Sequence, residues 1–375
     1  MTDLKYHNNY SLVTAILPMA TANGILKKSI TAFSETGILL HSRGTLQKEK
    51  WYKKLKPAVS PEQTIVELLV KDNYVDALMN SITINGRFHK DGSGAVYSSN
   101  CEKAAFLTSP GADIKIINQS DEEQINFKSD MVGIFCIAQH GKSESIAQAA
   151  MLEGAPGPSV VFGQGRGIRE RLGLLRIAIS PEKDLIRVVV DDYDAEAVFE
   201  SMVTEGKLDT PGMGFIYSMP IDKSFVSFAY SDTSGSDLAS SHQIIKAIDD
   251  LQGGAGWRTH NIIGSKTNEA RKLLTNLSRI TCVTERGKGE KMVEAAISQG
   301  APGASISYGT LLGAEEKLTG TDISLAREME IIEMTVSPKI EDEIIKAMTS
   351  TAQESGNENV YFYTKPVPKA LTYLG

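Results

Sequence analysis

Short apolar runs alternate with amphipathic stretches along this chain, and the pattern is cleanest in its middle. Met131 to Ala138 (MVGIFCIA) is continuously apolar, which predicts a strand buried on both faces. Ser143 to Glu153 places Ile146, Ala149 and Ala150 at helical spacing, and Gly154-Ala-Pro-Gly157 stops that helix. Ser159 to Phe162 predicts a second strand, followed by a loop rich in glycine and arginine from Gly163 to Pro181. Leu185 to Val190 predicts a third strand. A second helix follows, capped by Asp191 or Asp192, with Ala195, Val198, Phe199, Met202 and Val203 on one face. Gly206 to Gly214 breaks the pattern before a last strand from Phe215 to Met219.

The order is βαββαβ, a ferredoxin-like unit with one antiparallel sheet and both helices on one face. A near copy lies downstream. Cys136-Ile-Ala-Gln-His-Gly-Lys-Ser-Glu144 corresponds to Cys282-Val-Thr-Glu-Arg-Gly-Lys-Gly-Glu290, and Gly154-Ala-Pro-Gly157 to Gly300-Ala-Pro-Gly303, without a gap. So long a period suits a small domain used more than once. In this third copy, Ile280 to Val283, Ala304 to Tyr308, Glu330 to Val336 and Val360 to Thr364 are predicted strands, with helices over Glu290 to Ser298 and Ile340 to Met348. A fainter first copy has strands at Leu12 to Pro18, Gly37 to Leu40, Ile65 to Val70 and Ala95 to Ser98. Its helices are Ile25 to Ser34 and the stretch marked by Val75, Leu78, Met79 and Ile82.

The expected organisation is therefore repeat 1 over 10–106, a connector hairpin over 107–130 and repeat 2 over 131–224. A connector with helices over 225–278 and a degenerate repeat 3 over 279–375 follow. The first connector carries a strand-like Asp113 to Ile117. The second carries a strand-like Phe225 to Ala229 and helices over Ile244 to Leu251 and Glu269 to Leu277.

Composition narrows the function. A formal net charge of −7 argues against non-specific nucleic-acid binding. The three cysteines, Cys101, Cys136 and Cys282, form no CxxC pair and read as small buried hydrophobes. Leu12 to Ala22 is interrupted by Thr14, Pro18 and Thr21 and falls short of the ~20 apolar residues that cross a bilayer. A cytoplasmic protein that is not itself membrane-inserted is expected.

Two glycine-rich segments flank the sheet of repeat 2. Gly163-Gln-Gly-Arg-Gly167 opens one loop and Pro211-Gly-Met-Gly214 precedes the last strand. Glycines let backbone N–H groups close on an anion, and Arg166 supplies a fork for phosphate oxygens. Plain turn chemistry accounts for the same glycines. Three other signals are weaker. His140-Gly-Lys-Ser143 opens a helix as a phosphate loop does, but Cys136 stands where the leading glycine belongs. The six histidines show no HxxxH or HxH spacing, and His89 reads as solvated. Trp51-Tyr52 among lysines 48, 50, 53, 54 and 56 reads as a solvated or protein-contact loop, not a stacking platform.

Phe162-Gly-Gln-Gly-Arg-Gly-Ile, Leu172-Gly-Leu, Pro181 to Val190, Glu205-Gly-Lys and Thr210-Pro-Gly-Met-Gly-Phe-Ile-Tyr217 follow one another in the order and spacing of the P-II signalling family. The chain resembles that family's P-II-like members from Met131 to Lys223. The resemblance implies α+β, ferredoxin-like units closed as a P-II-like pseudo-trimer, monomeric as a polypeptide. It also implies ATP, ADP or AMP, with or without Mg, bound between units, and a regulated partner such as a membrane transporter or metabolic enzyme. On it, Gly163, Gly165, Arg166 and Gly167 match the base of the phosphate-touching loop. Gly206, Lys207, Gly212 and Gly214 match the turn across the cleft.

Repeat 1 offers Arg43, Gly44, Arg87, Gly92 and Gly94. Repeat 3 keeps Gly309 and Gly313 but has Leu312 in the arginine's place, so at most two competent sites are expected. Gly167 stands where the family has its loop glutamine and Phe215 where many members have a lysine, so 2-oxoglutarate sensing is not expected. No nucleophile–base pair stands out. A non-enzymatic regulator is the expectation, with a slow nucleotide hydrolase or a copper-tolerance-like metal handler as alternatives.

Overall fold

The computed structural model describes residues 4–32, 37–44, 62–89, 94–108, 115–116, 125–167, 181–227, 248, 251, 271–317, 324–357 and 359–373. Among them are six bounded α-helices and one large antiparallel sheet of 16 strands. After a short β1 (Lys5–His7), the first run comprises β2 (Tyr10–Pro18), α1 (Met19–Ser29), β3 (Ile30–Ala32), β4 (Gly37–Gly44), β5 (Glu62–Lys71), α2 (Val75–Gly86) and β6 (Gly94–Asn100). It is trailed by β7 (Lys103–Phe106) and β8 (Lys115–Ile116). The second run is β9 (Met131–Gln139), α3 (Ser143–Leu152), β10 (Ser159–Gly167), β11 (Glu182–Asp191), α4 (Asp192–Gly206) and β12 (Gly214–Ile221), trailed by β13 (Lys223–Ser227). The third is β14 (Leu277–Glu285), α5 (Gly289–Ser298), β15 (Gly303–Lys317), β16 (Ser324–Val336), α6 (Pro338–Glu354) and β17 (Tyr361–Val367), trailed by β18 (Lys369–Thr372).

Each run pairs its strands in one order, second–third–first–fourth: β4-β5-β2-β6, β10-β11-β9-β12 and β15-β16-β14-β17. Alternation along the strands sorts the side chains. In β2, Val13, Ala15 and Leu17 pack under α1 and α2 with Leu26, Leu78 and Ile82. Leu12 and Ile16 point the other way, into a core drawn from all three runs. Most central residues of the first, third and fourth strands are buried on both faces, and β9 accordingly reads as a near-continuous apolar run. Each fully buried Leu, Ile or Phe contributes about 1.5–3 kcal/mol relative to exposure.

The runs are stitched together cyclically by backbone hydrogen bonds. The second strands meet at their ends: Gly163 to Gly167 lies against Ser307 to Gly303, Gly309 to Leu311 against Leu40 to Ile38, and Arg43-Gly44 against Val160-Ser159. Each trailing strand crosses to another run's last strand: β7 onto β17, β13 onto β6 and β18 onto β12. A lysine opens each trailing strand and reaches an acid near the start of the neighbour's second helix. The pairs are Lys103–Asp342 at 2.8 Å, Lys223–Asp76 at 2.5 Å and Lys369–Glu196 at 2.6 Å.

Where the inner faces meet, one layer is charged. Glu67, Arg187 and Glu333 sit at the same register of β5, β11 and β16, opposite Thr14, Phe135 and Thr281. Beside them are Tyr97, Tyr217 and Tyr363, also at one register. All three charged residues are buried. Arg187 pairs with Glu67 and, at 3.4 Å, with Glu333. Arg279 pairs with Glu333 and lies over the rings of Phe135 and Tyr217. Tyr363 Oη donates to Glu67 at 3.2 Å.

Several local expectations change. The first helix starts at Met19, directly after Pro18, and ends at Ser29. Ala22, Ile25, Leu26 and Ser29 form its buried face, and Gly24 in its middle hid the period. Ile30–Ala32 is a strand and pairs with Lys115–Ile116, which fall in the strand-like stretch expected of the first connector; most of that connector lies outside the described residues. The helix expected over Glu269 to Leu277 is absent from its described part. Leu274 bridges to Ala370 in β fashion, and Asn276 has a φ of 53°, which ends any helix there. Of the helix expected over Ile244 to Leu251, Ile248 and Leu251 are helical and the rest lies outside the described residues, as does the Trp51-Tyr52 loop. Asp191 occupies the N-cap of α4 without a side-chain cap bond, because its carboxylate pairs with Lys128.

Candidate functional site

Arg166 ends β10 where that strand leaves its own sheet and pairs with the third run. It stands opposite Ala304, and its Nη2 lies 3.4 Å from Oε1 of Glu290 in the first turn of α5. The side chain is 35% exposed, yet its Nε is buried and has no hydrogen-bond partner among the described residues. A buried donor left unbonded costs about 1–3 kcal/mol, so this nitrogen favours any acceptor that reaches it.

The neighbouring glycines separate into two kinds. A Cβ on Gly163 would stand 2.6 Å from the carbonyl oxygen of Ile306, so the close crossing of β10 and β15 requires glycine there. At Gly165 a Cβ would meet only the flexible Lys183 side chain, and at Gly167 nothing nearer than 3.6 Å. Packing does not demand these two. Gly165 N–H donates to Pro181 O at 2.7 Å, which closes the base of the loop whose residues 168–180 lie outside the described set.

The turn after α4 sits at the same end of the sheet. Lys207 caps that helix in the left-handed region at φ 50°, exposed to solvent, with Gly206 buried behind it against Ile146 and Leu208. Gly212 has φ 75°, and its carbonyl accepts from Gln139 Nε2 at 3.2 Å. A Cβ on Gly214 would collide with the carbonyl oxygen of Ile137, so this glycine serves the strand crossing. The row Phe162–Asp184–Ala138–Gly214 spans the four strands. The two glycine segments are thus three strand spacings apart, about 14 Å. One small anion cannot touch both, whereas an elongated one can. Arg271 braces the turn, donating to Asp209 at 3.1 Å and Thr204 at 3.1 Å and pairing with Glu200.

The first run shows the same frame. Arg87 mirrors Lys207 at φ 52°, and a Cβ on Gly94 would collide with the carbonyl oxygen of Ile16. Arg43 is exposed opposite Glu62 and Val160, and Gly44 lies beside Gln63. Gly92 lies outside the described residues, and His89 is exposed.

The phosphate-loop reading of His140 to Ser143 gives way to a carboxylate of the chain itself. Asp184 is fully buried and accepts from Gly141 N at 3.0 Å and Ser143 N at 3.2 Å, filling the N-terminus of α3. Its other oxygen holds His140 Nδ1 at 2.8 Å, and that hydrogen bond raises the imidazole's pKa above its ordinary value. Glu330 repeats the role at Gly289 N, 2.6 Å away, with Arg286 beside it. Sequence reasoning missed this acid, although Asp184 and Glu330 fall at matching positions of the two copies.

Cys101, Cys136 and Cys282 are buried, and burial pushes the Cys101 thiol up to about 11. No group of three or more His, Cys, Asp or Glu residues suited to a metal ion occurs among the described residues. No helix among them is long and apolar enough to cross a membrane. No protein-family model matches the chain, and a comparison with curated proteins finds no match either.

Proposed function

We propose that the three runs are ferredoxin-like units closed into a P-II-like pseudo-trimer within one polypeptide. It binds an adenine nucleotide or similar elongated anion at a seam between units and signals its occupancy to a regulated protein, a transporter or metabolic enzyme, in the cytoplasm. The observation that carries this reading is Arg166, whose guanidinium stands at the seam of β10 and β15 with a buried, unbonded Nε. The cyclic strand pairing and the two glycines that packing does not demand support it.

An entering phosphate takes Arg166 from Glu290 and satisfies Nε. The exposed Lys207 across the turn adds a second cation. Because Arg166 belongs to β10 at its pairing with β15, occupancy biases that seam, and a partner that contacts the seam is captured or released.

Isothermal titration of the full chain with ATP, ADP and AMP, with and without magnesium, tests the proposal. Tight binding without turnover is expected, and Arg166→Ala weakens it by about 10-fold or more. Unchanged affinity removes Arg166 from the site. Steady product release assigns a hydrolase instead, and silence toward nucleotides with a response to copper or zinc assigns a metal handler.

A further inference from the structure

The seam between the third run and the first is built from the same strand pairing as the Arg166 seam and ends differently. Leu312 takes the position that Arg166 holds in β10, and its strand β15 runs on against β4 with Gly309 opposite Leu40 and Leu311 opposite Ile38. Its side chain passes over Gly37: a Cβ built there would lie 3.0 Å from Leu312. Leu312 is only 5% exposed and belongs to the helix-facing core of the first run, with Leu26, Val66 and Leu68. A residue of one run is therefore seated in the hydrophobic interior of the next, through a gap that the missing side chain of Gly37 provides.

The other edge of that cleft is tied down as well. Gly206 at the end of α4 corresponds to Ala352, but α6 runs on to Glu354, so the following turn is shorter. Asn357 is buried and donates from Nδ2 to Thr284 Oγ1 at 2.5 Å. Asn359 Nδ2 donates to Glu285 at 2.8 Å, and Lys288 Nζ to Ser355 O at 3.4 Å. Side chains thus lock this turn onto the end of β14, whereas in the second run the exposed Lys207 occupies the start of the equivalent turn.

We infer that the seam between the third and first runs is a sealed joint, with Leu312 as an apolar plug, and that ligand enters only the remaining seams. The inference deepens the functional reading above and, for its ligand count, rests on it. The plug itself has a signature independent of any ligand: exchanging Leu312 disturbs the fold, while exchanging Arg166 does not.

Thermal unfolding of the full chain without ligand, for parent, Leu312→Ala, Leu312→Arg and Arg166→Leu, reads that signature, and equilibrium dialysis with labelled ADP counts the sites. Leu312→Ala lowers the midpoint by about 4 °C or more, Leu312→Arg by more still, and Arg166→Leu by less than about 2 °C. ADP binds with no more than two equivalents per chain. Leu312 variants that melt with the parent, or a third equivalent of ADP, overturn the joint. If the parent binds no ADP at all, the functional reading falls, and the midpoints still decide the plug.

Discussion

Arg187 and Glu333 are the same position in two successive copies, 146 residues apart, and they meet as an ion pair at 3.4 Å in the centre of the molecule. The equivalent residue of the first run, Glu67, completes the set. Three identical units would bring three like charges together in a place with little water, so this layer requires units that differ. Burial pushes the Glu67 carboxyl up, but the charges of Arg187 and Arg279 together hold it below the usual carboxylate range. Arg187→Met leaves two buried carboxylates short of a partner and costs about 3–5 kcal/mol. Replacing Glu67 and Arg187 together by Met, which leaves Glu333 paired with Arg279, recovers most of that. Urea unfolding of the single and double variants checks both, and a harmless single variant contradicts the layer as described.

Lys365 gives the protein an alkaline signature. It is buried, donates to Ser99 Oγ at 2.5 Å, and burial lowers its pKa to about 8. Between that value and the ordinary ~10.4 of an unfolded lysine, the unfolded chain binds more protons, so this group's contribution to stability rises with pH across the window. Below pH 8 its penalty is complete, on the order of 3 kcal/mol. Met219 shows that methionine suits the corresponding position of the second run. Lys365→Met therefore stabilises the protein at pH 7 by about 2 kcal/mol, allowing for the hydroxyl left unbonded. The gain shrinks towards pH 10, as denaturant curves at both pH values report.

His140 titrates above its ordinary pKa because the buried Asp184 accepts from its Nδ1. Its stabilising contribution is present below the unfolded value and fades as pH rises through the folded one. Two-dimensional NMR of the imidazole shows the raised midpoint, and Asp184→Asn returns it toward 6.5. A midpoint unmoved by that substitution removes Asp184 as the cause.

Glu290 competes with any anion for Arg166. On the proposed function, Glu290→Gln tightens ADP binding by roughly 2- to 5-fold, as expected from losing one partly exposed ion pair. Weaker binding in that variant places Glu290 on the ligand's side instead.

Gly214→Ala destabilises the ligand-free protein by about 1–3 kcal/mol or more, since φ is 153° and the added Cβ meets the Ile137 carbonyl. Gly167→Ala, where the added Cβ meets nothing nearer than 3.6 Å, costs under about 1 kcal/mol. Thermal melts distinguish the two, and they separate a glycine kept for strand crossing from one available to a ligand.

Strands with both faces buried, and a helix with one clearly apolar face, were the readable part of the fold. β9, β11 and α4 stand within a residue or a few of their expected bounds, because an apolar run bounded by glycine or aspartate has few other meanings. The trailing strands β7 and β18 escaped, since four polar-mixed residues gain strand character only from the neighbour they pair with. The central charged layer escaped for a related reason: Glu67, Arg187 and Glu333 each look like a surface charge in their own strand, and only inter-run packing buries them. At the candidate site, the glycines were visible but their reasons were not. Gly163 and Gly214 answer to backbone collisions with Ile306 and Ile137, which no local pattern announces.

The trailing strand of the first run rests on the last strand of the third, and Lys103 finds Asp342 across 239 residues of sequence. During synthesis β7 emerges long before the strand it belongs beside, and until β17 arrives it presents an open edge. Ring closure is accordingly a late and slow event in folding. A nascent or truncated chain that lacks β17 carries an unpaired edge and unsealed inner faces, which makes it a substrate for chaperones and a seed for aggregation, while the finished chain leaves its first trailing strand covered on both sides by β1 and β17.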